Sequence, residues 1–191
     1  MQSRLAELLS YLDLERSRVL RAARELPPEK WTVSPGDSRW SVSDVCWHLQ
    51  RVESGVAKLI RKRTSEAGEH ELAREDSETS LLGALDGRGV TSRAEAWKAP
   101  PQVSPTETLD AESVQALLED SRRMMRNAIA DVDGIALGGI RHPHPVLGEL
   151  DLYQWILFVG HHEARHREQI AETVEAVKRQ HAASQPEETP R

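Results

Sequence analysis

At 191 residues, with 31 acidic against 25 basic side chains and a net charge of -6, the chain fits one domain of ordinary size with a mildly acidic, well-solvated surface. That balance excludes a nucleic-acid binder built on a dominant positive face, and the short Arg61-Lys62-Arg63 run does not reverse it. One cysteine, Cys46, excludes an internal disulfide framework and a Cys-rich zinc knuckle. The absence of an apolar leader after Met1, and of any stretch of membrane-span length, sets the expectation of a soluble cytoplasmic protein.

Leu5, Leu8, Leu9, Leu12, Val19, Leu20, Ala23 and Leu26 recur at helical spacing, so a first amphipathic helix is predicted, stopped by Pro27-Pro28. A turn-rich linker follows. Ser41-Val42-Ser43-Asp44 then has the form of a capping box and opens a second helix, whose stripe is Val42, Val45, Leu49, Val52, Val56, Leu59 and Ile60. From Thr64 to about Thr108 the periodicity fades, although Leu81, Leu82, Leu85 and Trp97 hint at short ordered pieces; a connection this long commonly covers a site.

The third helix is expected after Asp110, along Val114, Leu117, Leu118, Met124, Met125, Ala128, Ile129 and Val132, with Gly134 just past its end. A Gly-Pro-rich connection over 138–145 shows no strand pattern and leads to Asp151, placed as the N-cap of a fourth helix that runs to about Arg179. The polar tail from His181 to Arg191 is expected to be disordered, leaving 1–180 as the domain. Four amphipathic helices without strands point to an all-α, antiparallel four-helix bundle, a fold whose interior often carries metal sites.

Within the fourth helix Leu152, Trp155, Val159, His162, His166, Ile170, Val174 and Val177 form one stripe, so two histidines one turn apart occupy core positions. Such a pair alone is also compatible with satisfied core histidines. His48 changes the balance, because it lies between Val45 and Val52 in the second helix's stripe. Three buried imidazoles need partners, each unsatisfied polar group costing about 1–3 kcal/mol, and a shared metal satisfies all three. Neutral imidazole suits Zn, Ni, Cu and Fe, and three protein ligands leave a fourth position open for water or substrate.

His161 is turned about 100° from His162 around the helix and points elsewhere. His70 and His181 lie in polar stretches and are expected to be solvated, whereas His142 or His144 could fold over the bundle mouth as a fourth ligand or substrate contact. Glu163 and Arg165 flank the ligands off the stripe and are expected on the surface or supporting the ligands from behind. By letters His162-Glu163-Ala164-Arg165-His166 matches the metalloprotease order in which the glutamate is the base, but His48 on an upstream helix is wrongly placed for the third ligand of those enzymes.

The string Trp40-Ser41-Val42-Ser43-Asp44-Val45-Cys46-Trp47-His48-Leu49 resembles the first histidine motif of the DinB/YfiT-like metal-binding four-helix bundles. His144-Pro145-Val146-Leu147-Gly148-Glu149-Leu150-Asp151-Leu152, followed by Trp155, His162, Arg165, His166 and Gln169, is similar to the second. The resemblance implies an up-down-down-up bundle, a zinc or nickel ion on the three histidines, and a homodimer. It also implies thiol S-transferase or hydrolase activity on a small-molecule substrate, with a low-molecular-weight thiol as co-substrate in the transferase case. The alternative is a non-catalytic metal-binding or stress-related bundle, which requires a fourth ligand from the His142/His144 loop or a sealed pocket.

Overall fold

The computed structural model describes residues 1–68, 72–94 and 97–183. Four helices carry the chain: α1 Ser3–Ala23, α2 Val42–Ala67, α3 Ala111–Asp131 and α4 Leu152–Ala183. Three of their starts are fixed by local side-chain caps at the residues the sequence marks. The Ser41 hydroxyl accepts from the Asp44 N–H while the Asp44 carboxylate accepts from the Ser41 N–H, which satisfies two otherwise orphaned donors reciprocally. Asp110 accepts from the Ser113 N–H, and Asp151 and Gln154 exchange the same pair of bonds at the start of α4. Among the described residues no helix is long and apolar enough to cross a membrane.

α1 lies along α4, and α2 packs against both α3 and α4. The Ser43 hydroxyl meets the Leu109 carbonyl at one end of the α2–α3 pair, and Arg61 meets Asp131 at the other, so these two helices run in the same direction. Tyr11 meets His161, and Glu25 lies 3.6 Å from Lys178, so α1 and α4 also run together. Neighbours that run together need a connection spanning the bundle, and α2, with 26 residues, is roughly 39 Å long. Residues 68–110 make that return, and include a 3-10 turn at Pro101–Val103.

Apolar packing falls into two clusters at opposite ends. One gathers Leu5, Leu8 and Leu12 with Ile60, Ile129 and Ile156; the other gathers Val19 and Trp31 with Val45, Leu118, Ile170 and Val174. Between them each helix contributes buried polar groups: Arg16 from α1, Glu53 from α2, Ser121 and Arg122 from α3, and His162, Glu163 and His166 from α4. The bundle therefore has a polar belt at its waist.

Two expectations are corrected here. Residues 141–151 form an antiparallel hairpin, β1 Arg141–His144 with β2 Gly148–Asp151, in the register Arg141 to Asp151 and His144 to Gly148. The strands are too short to show alternation, and Pro143 masks the pattern; Gly148, at φ 72°, supplies the left-handed residue that closes a three-residue turn. The fourth helix also runs past Arg179 through His181 to Ala183, so the tail does not begin at 181. The expectation for 184–191 lies outside the described residues.

Close approach of α1 to α4 depends on Gly160, where an added Cβ would stand 2.5 Å from Tyr11 Cε1 and 2.7 Å from Cδ1. Gly160→Ala gains about 1 kcal/mol of helix propensity but overpacks the contact at a cost of about 1–3 kcal/mol. Thermal unfolding is expected to show a net destabilisation, and an unchanged or higher Tm would mean that Tyr11 swings away freely.

Candidate metal centre

His48 is carried into the core by the stripe of α2, and His162 and His166 by that of α4. All three are buried, being 4%, 7% and 8% exposed. The Nε2 atoms of His48 and His162 are 3.2 Å apart and those of His162 and His166 3.1 Å apart, and one ligand atom from each residue lies within 4.8 Å of the others.

Partners behind two of the rings decide which nitrogen faces the centre. His48 Nδ1 lies 2.7 Å from the Val103 carbonyl, which can only accept, so the ring carries its proton there and turns an Nε2 lone pair inward. His166 Nδ1 is likewise 2.8 Å from Gln169 Oε1. Burial disfavours the imidazolium at each ring. It lowers the pKa of His48 against a small opposing effect of the Val103 bond, takes that of His166 to about 3, and holds that of His162, with help from the neighbouring His166 and His48, well below the usual value. The rings are therefore neutral, the form that binds metal. Two inward lone pairs face His162 Nε2, whose single site for a proton cannot serve both as a donor. A cation among the three satisfies all of them, so the donor set fits a divalent transition metal.

The other described histidines do not converge on this point. His144, on β1, accepts the N–H groups of Val146 and Leu147 at Nδ1, each at 3.1 Å, so its proton sits on Nε2. Its ring packs at 4.6 Å from that of Phe158 and 5.0 Å from that of Trp155, and burial lowers its pKa to about 4. His142 contributes its carbonyl to Trp155 Nε1. His161 meets the Tyr11 hydroxyl at 3.1 Å on the α1 side, as its position on the helix predicts. His181 is exposed near the end of α4, and His70 lies outside the described residues.

Glu163 and Arg165 are not surface residues: they are 1% and 6% exposed. The Glu163 carboxylate accepts from Arg16 and Arg122 in the polar belt and does not line the cavity beside the histidines, so it is not placed as the base of a metalloprotease. Arg165 lies over the Trp97 ring at 4.8 Å from its centroid. Sequence reasoning also missed Val103, because a backbone carbonyl leaves no mark in side-chain pattern.

A cavity of about 750 Å³ opens beside the cluster, with all three histidines in its wall. Trp40, Trp97, Trp155 and Phe158 form much of the rest, and the 68–110 connection supplies Arg93, Lys98 and Val103 as well as Trp97.

The sequence matches the DinB superfamily over residues 11–170. It is similar to the uncharacterized protein YuaE of Bacillus subtilis (strain 168), 28% identical over 172 residues, which is 90% of this chain and 99% of that protein. TT2238, a four-helix bundle protein of known crystal structure, has a similar fold: the TM-score is 0.58 at 21% identity, over 88% of this chain and 98% of that one. With the match taking in α2 and α3 whole, parts of α1 and α4, and both histidine motifs, the chain belongs to the DinB superfamily.

Proposed function

We propose that this protein is a metal-dependent enzyme that holds zinc or nickel through His48, His162 and His166 and acts as a thiol S-transferase or hydrolase on a small molecule. The observation that carries the reading is the convergence of three neutral imidazoles in the wall of a roomy cavity, with no fourth ligand in the cluster among the described residues. When bound, the ion supplies the Lewis acidity that brings the pKa of a thiol or a water toward neutrality.

The protein's own groups have separate tasks. Val103 and Gln169 fix the orientation of His48 and His166 from behind. Trp40, Trp97, Trp155 and Phe158 give the cavity an apolar wall beside the histidines, and His144, held with its proton on Nε2, is a neutral hydrogen-bond donor in that wall. The non-catalytic alternative requires a fourth ligand from the His142/His144 loop or a sealed interior, and among the described residues only His48, His162 and His166 converge. His144 Nδ1 already has two backbone donors, and the cavity is open, so both observations favour the enzyme.

Cobalt(II) in place of the native ion tests the open position by absorption spectroscopy. Addition of 2-mercaptoethanol is expected to produce thiolate-to-cobalt charge-transfer bands. Cobalt uptake without such bands would remove the thiol-transfer branch and leave hydrolysis, while failure to take up cobalt, zinc or nickel would overturn the reading.

A further inference from the structure

The chain carries more acid than base, yet its cavity does the reverse. Arg39, Arg51, Arg93, Lys98 and Arg165 all contribute to the lining, and among the described residues no Asp or Glu does. These cations come from the linker before α2, from α2, from the 68–110 connection and from α4, so local sequence clustering does not account for their meeting.

They differ in depth. Arg165 is buried, stacked over Trp97, and shares the cavity wall with the three histidines, which places a permanent charge in that wall. Arg93 lines the same cavity and is held by Glu172 through bonds of 3.2 and 2.7 Å. Arg51 rests over the Trp47 ring and donates to the Gln102 carbonyl at 3.4 Å. Arg39, Arg51, Arg93 and Lys98 are all exposed at the rim, so Arg165 is the one buried cation of the five. A guanidinium in a low-dielectric wall is a strong, geometrically selective partner for a carboxylate, and rim cations steer anions inward. Beside these charges the same cavity holds four of the chain's eight aromatic side chains, Trp40, Trp97, Trp155 and Phe158, which suit a flat apolar body.

From this segregation of cations and aromatic rings we infer that the cavity takes small organic anions, carboxylates with an apolar or aromatic body, and that Arg165 and Arg93 receive the carboxylate. The inference rests on reading the cavity as the substrate site of the proposed enzyme and adds the class of substrate.

Because a carboxylate can also ligate a metal, the test uses chelator-treated protein. Isothermal titration with 2-naphthoate and its neutral counterpart 2-naphthamide is expected to show a preference of about tenfold or more for the anion, weakened by added salt. The preference should fall below about threefold in the Arg93→Gln/Arg165→Gln double variant, with its fold checked by circular dichroism, and persist in Arg165→Lys, which keeps the charge. Equal binding of acid and amide, binding of neither, or an undiminished preference in the double variant would overturn the inference. Metal content of the same preparation, measured separately, scores the metal site: one ion bound without anion preference rejects only the substrate class, and anion preference without metal uptake rejects only the metal-dependent enzyme.

Discussion

His162→Ala is expected to lower the metal bound per chain from about one equivalent to near zero, measured by mass spectrometry on protein purified without a His tag and reconstituted with zinc or nickel. His162 is the hub of the cluster, since its Nε2 lies within 3.2 Å of both other imidazoles. Its removal leaves one ring from α2 and one from α4 with no ligand between them. His161→Ala is the matched control: it is the adjacent histidine on the same helix, but it faces Tyr11 and should leave the stoichiometry unchanged.

Thermal stability reports the same event independently. A ligand that binds only the folded chain stabilises it by about 2.7 kcal/mol when its free concentration is about 100 times Kd. For a chain of this size that raises Tm by roughly 5–11 °C. Metal addition should produce this rise in the unaltered protein and in His161→Ala, and chelation should reverse it; His162→Ala should show neither response. Retention of a full equivalent by His162→Ala would place the metal elsewhere, and absence of metal from the unaltered chain would leave the three histidines as a polar core.

The features legible in sequence are those set by neighbours a few residues away. Helix stripes, the caps at Ser41, Asp110 and Asp151, and the outward turn of His161 follow from local periodicity. The three cluster histidines were visible because each replaces an apolar residue within a stripe. Glu163 was not legible for the opposite reason. It lies off the stripe, and its burial depends on Arg16, 147 positions away, and Arg122, 41 positions away, neither of which hydropathy can pair with it. The hairpin at 141–151 is similarly defined by pairing and by Gly148 rather than by alternation. Cation segregation around the cavity was hidden because its members are scattered along the chain and assembled only by the bundle.

Glu53→Ala is expected to be the most damaging change away from the histidines. Glu53 is fully buried and accepts from Arg16, Arg122 and Ser121, while Glu163 accepts from the same two arginines, so two carboxylates and two guanidiniums balance within the polar belt. Burial by itself would raise the Glu53 pKa, but Arg16 and Arg122 outweigh it and hold the carboxyl below its ordinary range. Truncation leaves two buried guanidiniums facing one buried carboxylate, with the part-exposed Asp13 as the other acceptor of Arg122, a loss of about 3–5 kcal/mol, or roughly 6–20 °C in Tm for a chain of this length. Because the folded-state pKa is depressed, this contribution is present above the unfolded carboxylate range and disappears as pH falls through the folded value. The gap between Glu53→Ala and the unaltered protein in denaturant unfolding should therefore narrow on acidification. Replacing Glu53 and Arg122 together by methionine removes one charge of each sign and retains Arg16 with Glu163, so the double variant should lose less stability than Glu53→Ala alone. A single variant within about 1 kcal/mol of the unaltered protein would mean that water reaches the belt and that surface-like screening prevails there.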